Sequence, residues 1–250
     1  VAASGNQVAV GYTAVQSGGV IRQVFVTQYT AGTGATNGSW AGLAGSASGG
    51  GVSGNAAVTA ALGLGVGAGA SANAQPSLAY LGGSLYVGWQ AFADQGAVIA
   101  TAKLGASLQM LDVIKDFSRP GLPQLAAGGG VLRMVWANTP LADASTQLYA
   151  RQWNAASGHF EELLPGQSSG AGISGTSNSG GEAQSLSLAV DGSGRATVAW
   201  QDASSGSPEI LVRGDAAPPA RVFSASGATT VQSILDSQTL GVGDVIVVQG

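Results

Sequence analysis

Gln75-Pro-Ser-Leu-Ala-Tyr-Leu-Gly-Gly-Ser-Leu-Tyr-Val-Gly-Trp89-Gln recurs as Leu122-Pro-Gln-Leu-Ala-Ala-Gly-Gly-Gly-Val-Leu-Arg-Met-Val-Trp136. It returns as Gln184-Ser-Leu-Ser-Leu-Ala-Val-Asp-Gly-Ser-Gly-Arg-Ala-Thr-Val-Ala-Trp200-Gln-Asp. The opening Val1-Ala-Ala-Ser-Gly-Asn-Gln-Val-Ala-Val-Gly-Tyr12 fits the same template, with Tyr12 in the tryptophan's place. Leu78 and Trp89, Leu125 and Trp136, and Val1 and Tyr12 are each eleven residues apart, and the fourth copy is one residue longer in its turn, Asp191-Gly-Ser-Gly194. After the aromatic each unit runs through a polar turn into a β-rich run: Val24–Tyr29, Val98–Ala102, Gln147–Trp153 and Glu209–Arg213. Two units then match in a further piece. Trp40-Ala-Gly-Leu43 leads to Gly49-Gly-Gly-Val-Ser-Gly54, and Phe160-Glu-Glu-Leu163 leads to Gly170-Ala-Gly-Ile-Ser-Gly175.

Each unit is therefore three or four short strands, β-branched and aromatic residues alternating with small or polar ones between Gly/Asn/Asp/Ser turns. One such sheet cannot bury both of its faces, so the copies must stack on one another, and radial stacking of four-stranded units is the β-propeller solution. Composition agrees. Glycine supplies 41 of 250 residues and charged residues only 9%, which disfavours a helical bundle, because glycine costs about 1 kcal/mol in a helix interior. The glycines follow no three-residue period, which excludes collagen. A hydrophobic fraction of 45% and a mean hydropathy of +0.25 argue against disorder.

The repeat resembles the bacterial extracellular β-propeller repeats whose pattern runs Pro-x-Leu-Ala-x-Asp-x-x-Gly-x-x-x-Val-Ala-Trp-x-Asp. Residues 184–202 carry nearly all of it, without the proline; 75–90 and 122–136 carry it without the turn aspartate. The resemblance implies an all-β fold of about four propeller-type blades, a partial propeller, over residues 1–215, with units at about 1–60, 75–119, 122–183 and 184–215. Pro218-Pro219 breaks the pattern, and 216–223 reads as a linker. Beyond it, Thr229 is an expected N-cap with Gln232 three residues on, Val231, Ile234 and Leu235 share a helix face, and Gly241-Val-Gly-Asp244 turns into Val245–Val248. This stretch, 224–250, resembles the start of a right-handed parallel β-helix, whose cap pairs a short helix with an apolar strand; the plainer alternative is a helix and strand packed on the last blade. Val1 aligns with Leu78, inside a repeat, so a larger polypeptide is expected around this segment.

The search for chemistry yields little. There is no cysteine and one histidine, His159, in a turn where solvation is the expected state. Glu161-Glu162 offers one half of a carboxylate pair for glycosidic chemistry, but adjacent strand residues face opposite sides, and a solvated edge is the expected state. Arg133, Arg151 and Arg195 are too scattered to assign as an arginine triad. No cofactor is implied; the Asp191–Gly194 turn offers calcium one formal charge, and a β-turn using Asp and Gly for their backbone preferences is the default. Tyr12, Trp89, Trp136 and Trp200, one per unit, are expected to fill the space between blades. Trp40, Trp153 and Phe160 are less regular and are the candidates for contact with a glycan or partner. The two long Gly-rich loops, 44–60 and 166–183, are contact surfaces or spacers.

A net charge of −4 with dispersed Lys and Arg leaves no basic surface for nucleic acid, and no apolar run is long enough for membrane insertion as a helix. The expected partners are the rest of the same polypeptide, neighbouring subunits or extracellular glycans. The resulting expectation is a non-catalytic structural, adhesive or glycan-contacting segment of a large secreted or cell-surface bacterial protein, filament- or matrix-forming, and not an enzyme. The alternative is an accessory region of a carbohydrate-active enzyme, a polysaccharide lyase or glycosidase, whose active site lies outside the segment.

Overall fold

A computed structural model describes residues 1–15, 22–32, 37–64, 75–93, 96–115, 119–139, 145–162, 166–169, 172–174, 183–203, 206–214, 222–225, 231–237 and 245–248. The described strands fall into four sheets; three draw all their strands from one sequence unit each, and the fourth adds two strands from beyond residue 215. Blade 1 holds β1 (Ala2–Ser4), β2 (Gln7–Val15), β3 (Arg22–Thr30) and β4 (Ser39–Ala41). Blade 2 holds β5 (Ser77–Leu81), β6 (Ser84–Ala93), β7 (Gly96–Leu104) and β8 (Leu108–Ile114). Blade 3 holds β9 (Gln124–Gly128), β10 (Val131–Asn138), β11 (Gln147–Asn154) and β12 (His159–Glu161). These three are antiparallel meanders in which consecutive strands are neighbours. The fourth blade begins alike with β13 (Gln184–Val190), β14 (Ala196–Asp202) and β15 (Glu209–Gly214). The all-β, blade-type architecture read from the repeat is what the structure shows.

Strand alternation explains how the blades stack. In β6, Leu85, Val87, Trp89 and Ala91 lie on one face and join Val24, Val26 and Ala9 of blade 1 in one core. Tyr86 lies on the opposite face, with Ile99 of β7, and shares a second core with Leu132, Met134 and Trp136 of blade 3. Val135 and Leu148 then form a third core with Val198 and Trp200 of blade 4. The repeated tryptophan thus always faces the preceding blade, and Trp89, Trp136 and Trp200 are buried there. Close approach needs a small residue beside it: Leu78 lies against Gly11, and Leu125 against Gly88, where a Cβ would press on the leucine. Tyr12 departs from the expected inter-blade role. Its ring stacks on Phe25 with centroids 5.5 Å apart; Phe25 is buried with the Gly51 loop against its ring, whereas Tyr12 remains exposed.

Parts of the two Gly-rich loops, among the described residues, are seated on their blades. Each returns to the third strand of its blade and bonds the backbone that the short fourth strand leaves unpaired. In blade 1, Val52 N–H donates to the Val24 carbonyl at 2.7 Å and Val24 N–H donates to Ser53 Oγ at 2.9 Å. In blade 3, Ile173 N–H donates to the Leu148 carbonyl at 2.7 Å and Leu148 N–H donates to Ser174 Oγ at 3.1 Å. Ser53 Oγ donates to Gln23 and Ser174 Oγ to Gln147, while Val52 and Ile173 are buried in the inter-blade cores. Unpaired N–H and C=O groups on an edge are costly when buried and sticky when exposed; the loops cap them. A short helix, α1 (Ala56–Ala61), follows the first loop, with the Asn55 side chain accepting from Ala57 N–H.

The C-terminal region differs from the expected β-helix start. A helix, α2 (Val231–Ser237), and a strand, β17 (Val245–Val248), are present where the pattern placed them. However, β17 pairs antiparallel with β15, taking the fourth-strand position of blade 4. It also pairs in parallel with β16 (Val222–Ala225), so the 216–223 linker ends earlier than expected. Blade 4 had an unpaired edge at β15, and an edge is satisfied by whichever strand reaches it. On α2, Ile234 is buried whereas Val231 and Leu235 are exposed, so the apolar face is narrower than its spacing implied. Thr229 lies outside the described residues.

Candidate functional site

A cleft of about 580 Å³ lies along the seam of blades 2 and 3. Leu81 and Tyr86 wall it on the blade 2 side, and Leu132 and Trp153 on the blade 3 side; Gln152, Asn154, Glu161 and Glu162 supply its polar groups. A second space, between blades 3 and 4, measures about 30 Å³, roughly the room of one water molecule.

Trp153 sits on β11 opposite Phe160 of β12, the rings meeting edge to face at 5.4 Å and 60°. Trp153 is half-buried and borders the cleft, whereas Phe160 is fully in the core. Phe160 is therefore a support beneath Trp153 and not, as expected, a contact residue. Its N–H donates to Asp112 Oδ2 at 2.8 Å, and His159 Nδ1 lies 3.5 Å from the same carboxylate, so the histidine, exposed at the start of β12 and not in a turn, has an acidic neighbour on blade 2. Trp40 is exposed on blade 1, tilted against Tyr29 at 5.4 Å, and takes no part in the cleft.

Glu161 and Glu162 both border the cleft, contrary to the expectation from strand alternation. The reason is local: β12 ends at Glu161, and Glu162 lies past it, freed from the pleat. The Ser157 and Asn154 side chains hydrogen-bond the Glu161 carboxylate and hold its pKa below the ordinary value, Asn154 Nδ2 donating to Oε2 at 2.8 Å. For Glu162 burial works against ionisation, but the Ser168 hydroxyl and N–H and the Gly166 N–H outweigh it, and its pKa also falls. Ser168 N–H and Oγ donate to Glu162 Oε1 at 2.6 and 2.8 Å. Both carboxylates are thus ionised at neutral pH. They can accept hydrogen bonds from hydroxyl groups, and each is in the state required of a base or nucleophile.

Asp191 has its own cation. Its Oδ1 accepts from Ser193 N–H, Ser193 Oγ and Arg195 N–H, and Oδ2 lies 2.8 Å from Arg195 Nη2. These bonds, led by the Ser193 hydroxyl, drive its pKa far down. A carboxylate already matched by a guanidinium is a poor seat for calcium, and the described residues hold no cluster of three or more metal-ligating side chains.

No protein-family model matches the chain, and no curated protein matches it. Among solved structures, the chain is similar to the Bombyx mori GH32 β-fructofuranosidase BmSUC1, at a TM-score of 0.44 and 12% identity over 80% of this chain and 41% of that one. A mutant of the same enzyme in complex with sucrose gives a TM-score of 0.43 and 11% identity, with the same coverage. The chain spans about two fifths of the length of these neighbours. Both neighbours are enzymes, and the expectation that the segment is not one is withdrawn. No helix among the described residues is long and apolar enough to cross a membrane.

The sequence singles out Trp153, its neighbour Phe160 and the carboxylates of Glu161 and Glu162, but not the rest of the cleft. Tyr86, Gln152 and Asn154 carry no signal of a site in one dimension, since each reads as an ordinary strand residue.

Proposed function

We propose that this chain is a β-propeller region of a carbohydrate-active enzyme of the secreted or cell-surface kind, and that it takes a glycan in the Trp153 cleft. The observation that carries the reading is the juxtaposition of a half-exposed indole with two ionised carboxylates and two amide side chains in one open cleft. The apolar face of a sugar ring stacks on an aromatic plane, while its hydroxyls need several acceptors and donors at the rim. Glu161 and Glu162 supply the acceptors, and the Gln152 side chain supplies both.

A glycan array followed by titration of the best binder tests this. Trp153→Ala is expected to weaken binding about tenfold or more, equivalent to ~1.4 kcal/mol, and Trp40→Ala to leave it unchanged. Because both carboxylate pKa values lie below the ordinary 4.5, they stay charged as pH falls toward that value. Affinity is expected to hold down to there and to fade only in more acidic solution. An array with no binder, or binding that Trp40→Ala rather than Trp153→Ala removes, overturns the proposal.

A further inference from the structure

The lining of the Trp153 cleft is unbalanced in charge. Of the described residues that border it, Glu161 and Glu162 are acidic and none is basic. Neither carboxylate is in an ion pair among the described residues; the pairs there join His159 to Asp112 and Arg195 to Asp191. The groups bonded to the two glutamates are neutral: Ser157 and Asn154 at Glu161, Ser168 and Gly166 at Glu162. They steady each negative charge without cancelling it. Lys103, opposite Tyr86 in register, stands over the Tyr86 ring at 6.0 Å and does not border the cleft.

The hydrogen-bonding sense is equally one-sided. The Asn154 amide already donates to Glu161 and accepts from the Ala156 N–H at 2.9 Å, which leaves Gln152 as the lining amide that can donate outward. Gln152 and Glu161 are opposite in register, as are Trp153 and Phe160, so the amide–carboxylate pair and the indole project from opposite faces of blade 3. Both sets border one cleft because it opens at the end of the blade, where Gly130 and Ala155 of the hairpin turns also line it.

We propose that this cleft selects a cationic amino sugar, a pyranose with a free ammonium group, over neutral and acidic sugars; the inference rests on the glycan reading of the same cleft. An ammonium brings three N–H donors and the charge that the lining lacks. An acidic sugar adds a third negative charge, and a neutral one leaves both carboxylates unmatched. The ring is needed as well as the charge, since a linear amine satisfies the glutamates but leaves the Trp153 indole uncovered.

Titration calorimetry with sugars of matched length tests this at about pH 6, where the amine is protonated and both carboxylates are ionised. The probes are an oligomer of glucosamine, the same oligomer N-acetylated, an oligomer of galacturonic acid, and spermidine as a linear amine. The glucosamine oligomer is expected to bind about tenfold tighter than its N-acetylated form, the scale of two exposed ion pairs. The galacturonic acid oligomer and spermidine are expected to bind weakest. Raising salt from about 0.1 M to about 1 M shortens the screening length from about 10 Å to about 3 Å and is expected to close most of the gap. Glu161→Gln, at an exposed position, is expected to narrow the ratio between the two forms, whereas Trp153→Ala weakens both together. If the N-acetylated or the acidic oligomer binds as tightly as the cationic one and depends on Trp153, the charge selection is overturned while the glycan reading stands. Spermidine binding as tightly as the glucosamine oligomer also overturns it, as charge alone would then suffice. If no oligosaccharide binds, both fall.

Discussion

Trp136→Ala is expected to cost about 3–5 kcal/mol, the range for truncating a large aromatic in a packed core, and to lower the melting temperature by roughly 10 °C or more for a chain of this size. The indole is fully buried between blades 2 and 3. It stacks on Tyr149 at 6.0 Å and lies 5.8 Å from the Arg151 guanidinium, so its removal opens a cavity whose walls belong to two sheets. Collapse of that cavity would require one blade to shift against the other, which the remaining contacts of both resist. Tyr12→Ala is the matched control: same position in the repeat and same strand partner type, but an exposed ring. It is expected to cost about 1 kcal/mol or less, as surface substitutions do. Thermal unfolding followed by near-ultraviolet circular dichroism, at dilute protein, measures both. Equal losses would mean that burial of the repeated aromatic is not what binds blade to blade.

The same pair shows what a one-dimensional reading can and cannot reach. The aromatic at a fixed place in each unit, flanked by alternating aliphatics, is a local pattern, and it was enough to establish the four sheets and the side of each that carries the large residue. Whether that residue is buried depends on what stands opposite, and Tyr12 and Trp136 read alike until the neighbouring blade is known. Glu161 and Glu162 illustrate a smaller version. Alternation separates adjacent residues only while the strand lasts, and β12 stops between them. The C-terminal pattern located a helix and a strand, yet the partner of β17 is the free edge of β15, and an edge is created by three strands lying far upstream. The cleft was least legible of all, because its walls come from two blades.

The Gly-rich loops were misread for a different reason, and they support the second large effect. Glycine-rich sequence is ordinarily read as slack, but Gly172 is required by geometry: its φ is +58°, and a Cβ there would overlap the Leu148 carbonyl oxygen and press on the Tyr149 ring. That carbonyl is the acceptor for Ile173 N–H, so the clash falls on the hydrogen bond that seats the loop. Gly172→Ala therefore combines a strained backbone, costing about 1–3 kcal/mol, with displacement of the buried Ile173 and loss of the Ser174 acceptor for Leu148 N–H. A buried donor left without its partner costs a further ~1–3 kcal/mol. The expected total is about 3 kcal/mol or more, with early hydrogen exchange at Leu148 and Ala150, whose N–H groups the loop accepts from. Gly51 of blade 1 stands in the same relation to the Val24 carbonyl, at φ +64°, and Gly51→Ala is expected to match it. Gly158 provides the comparison, since it has φ +75° but nothing near its missing Cβ. Gly158→Ala meets the backbone strain alone, so its loss of stability in urea should be the smaller by about 2 kcal/mol. If the two substitutions cost the same, the loops do not cap the strand edges, and the third strands of blades 1 and 3 must be held by their antiparallel neighbours alone.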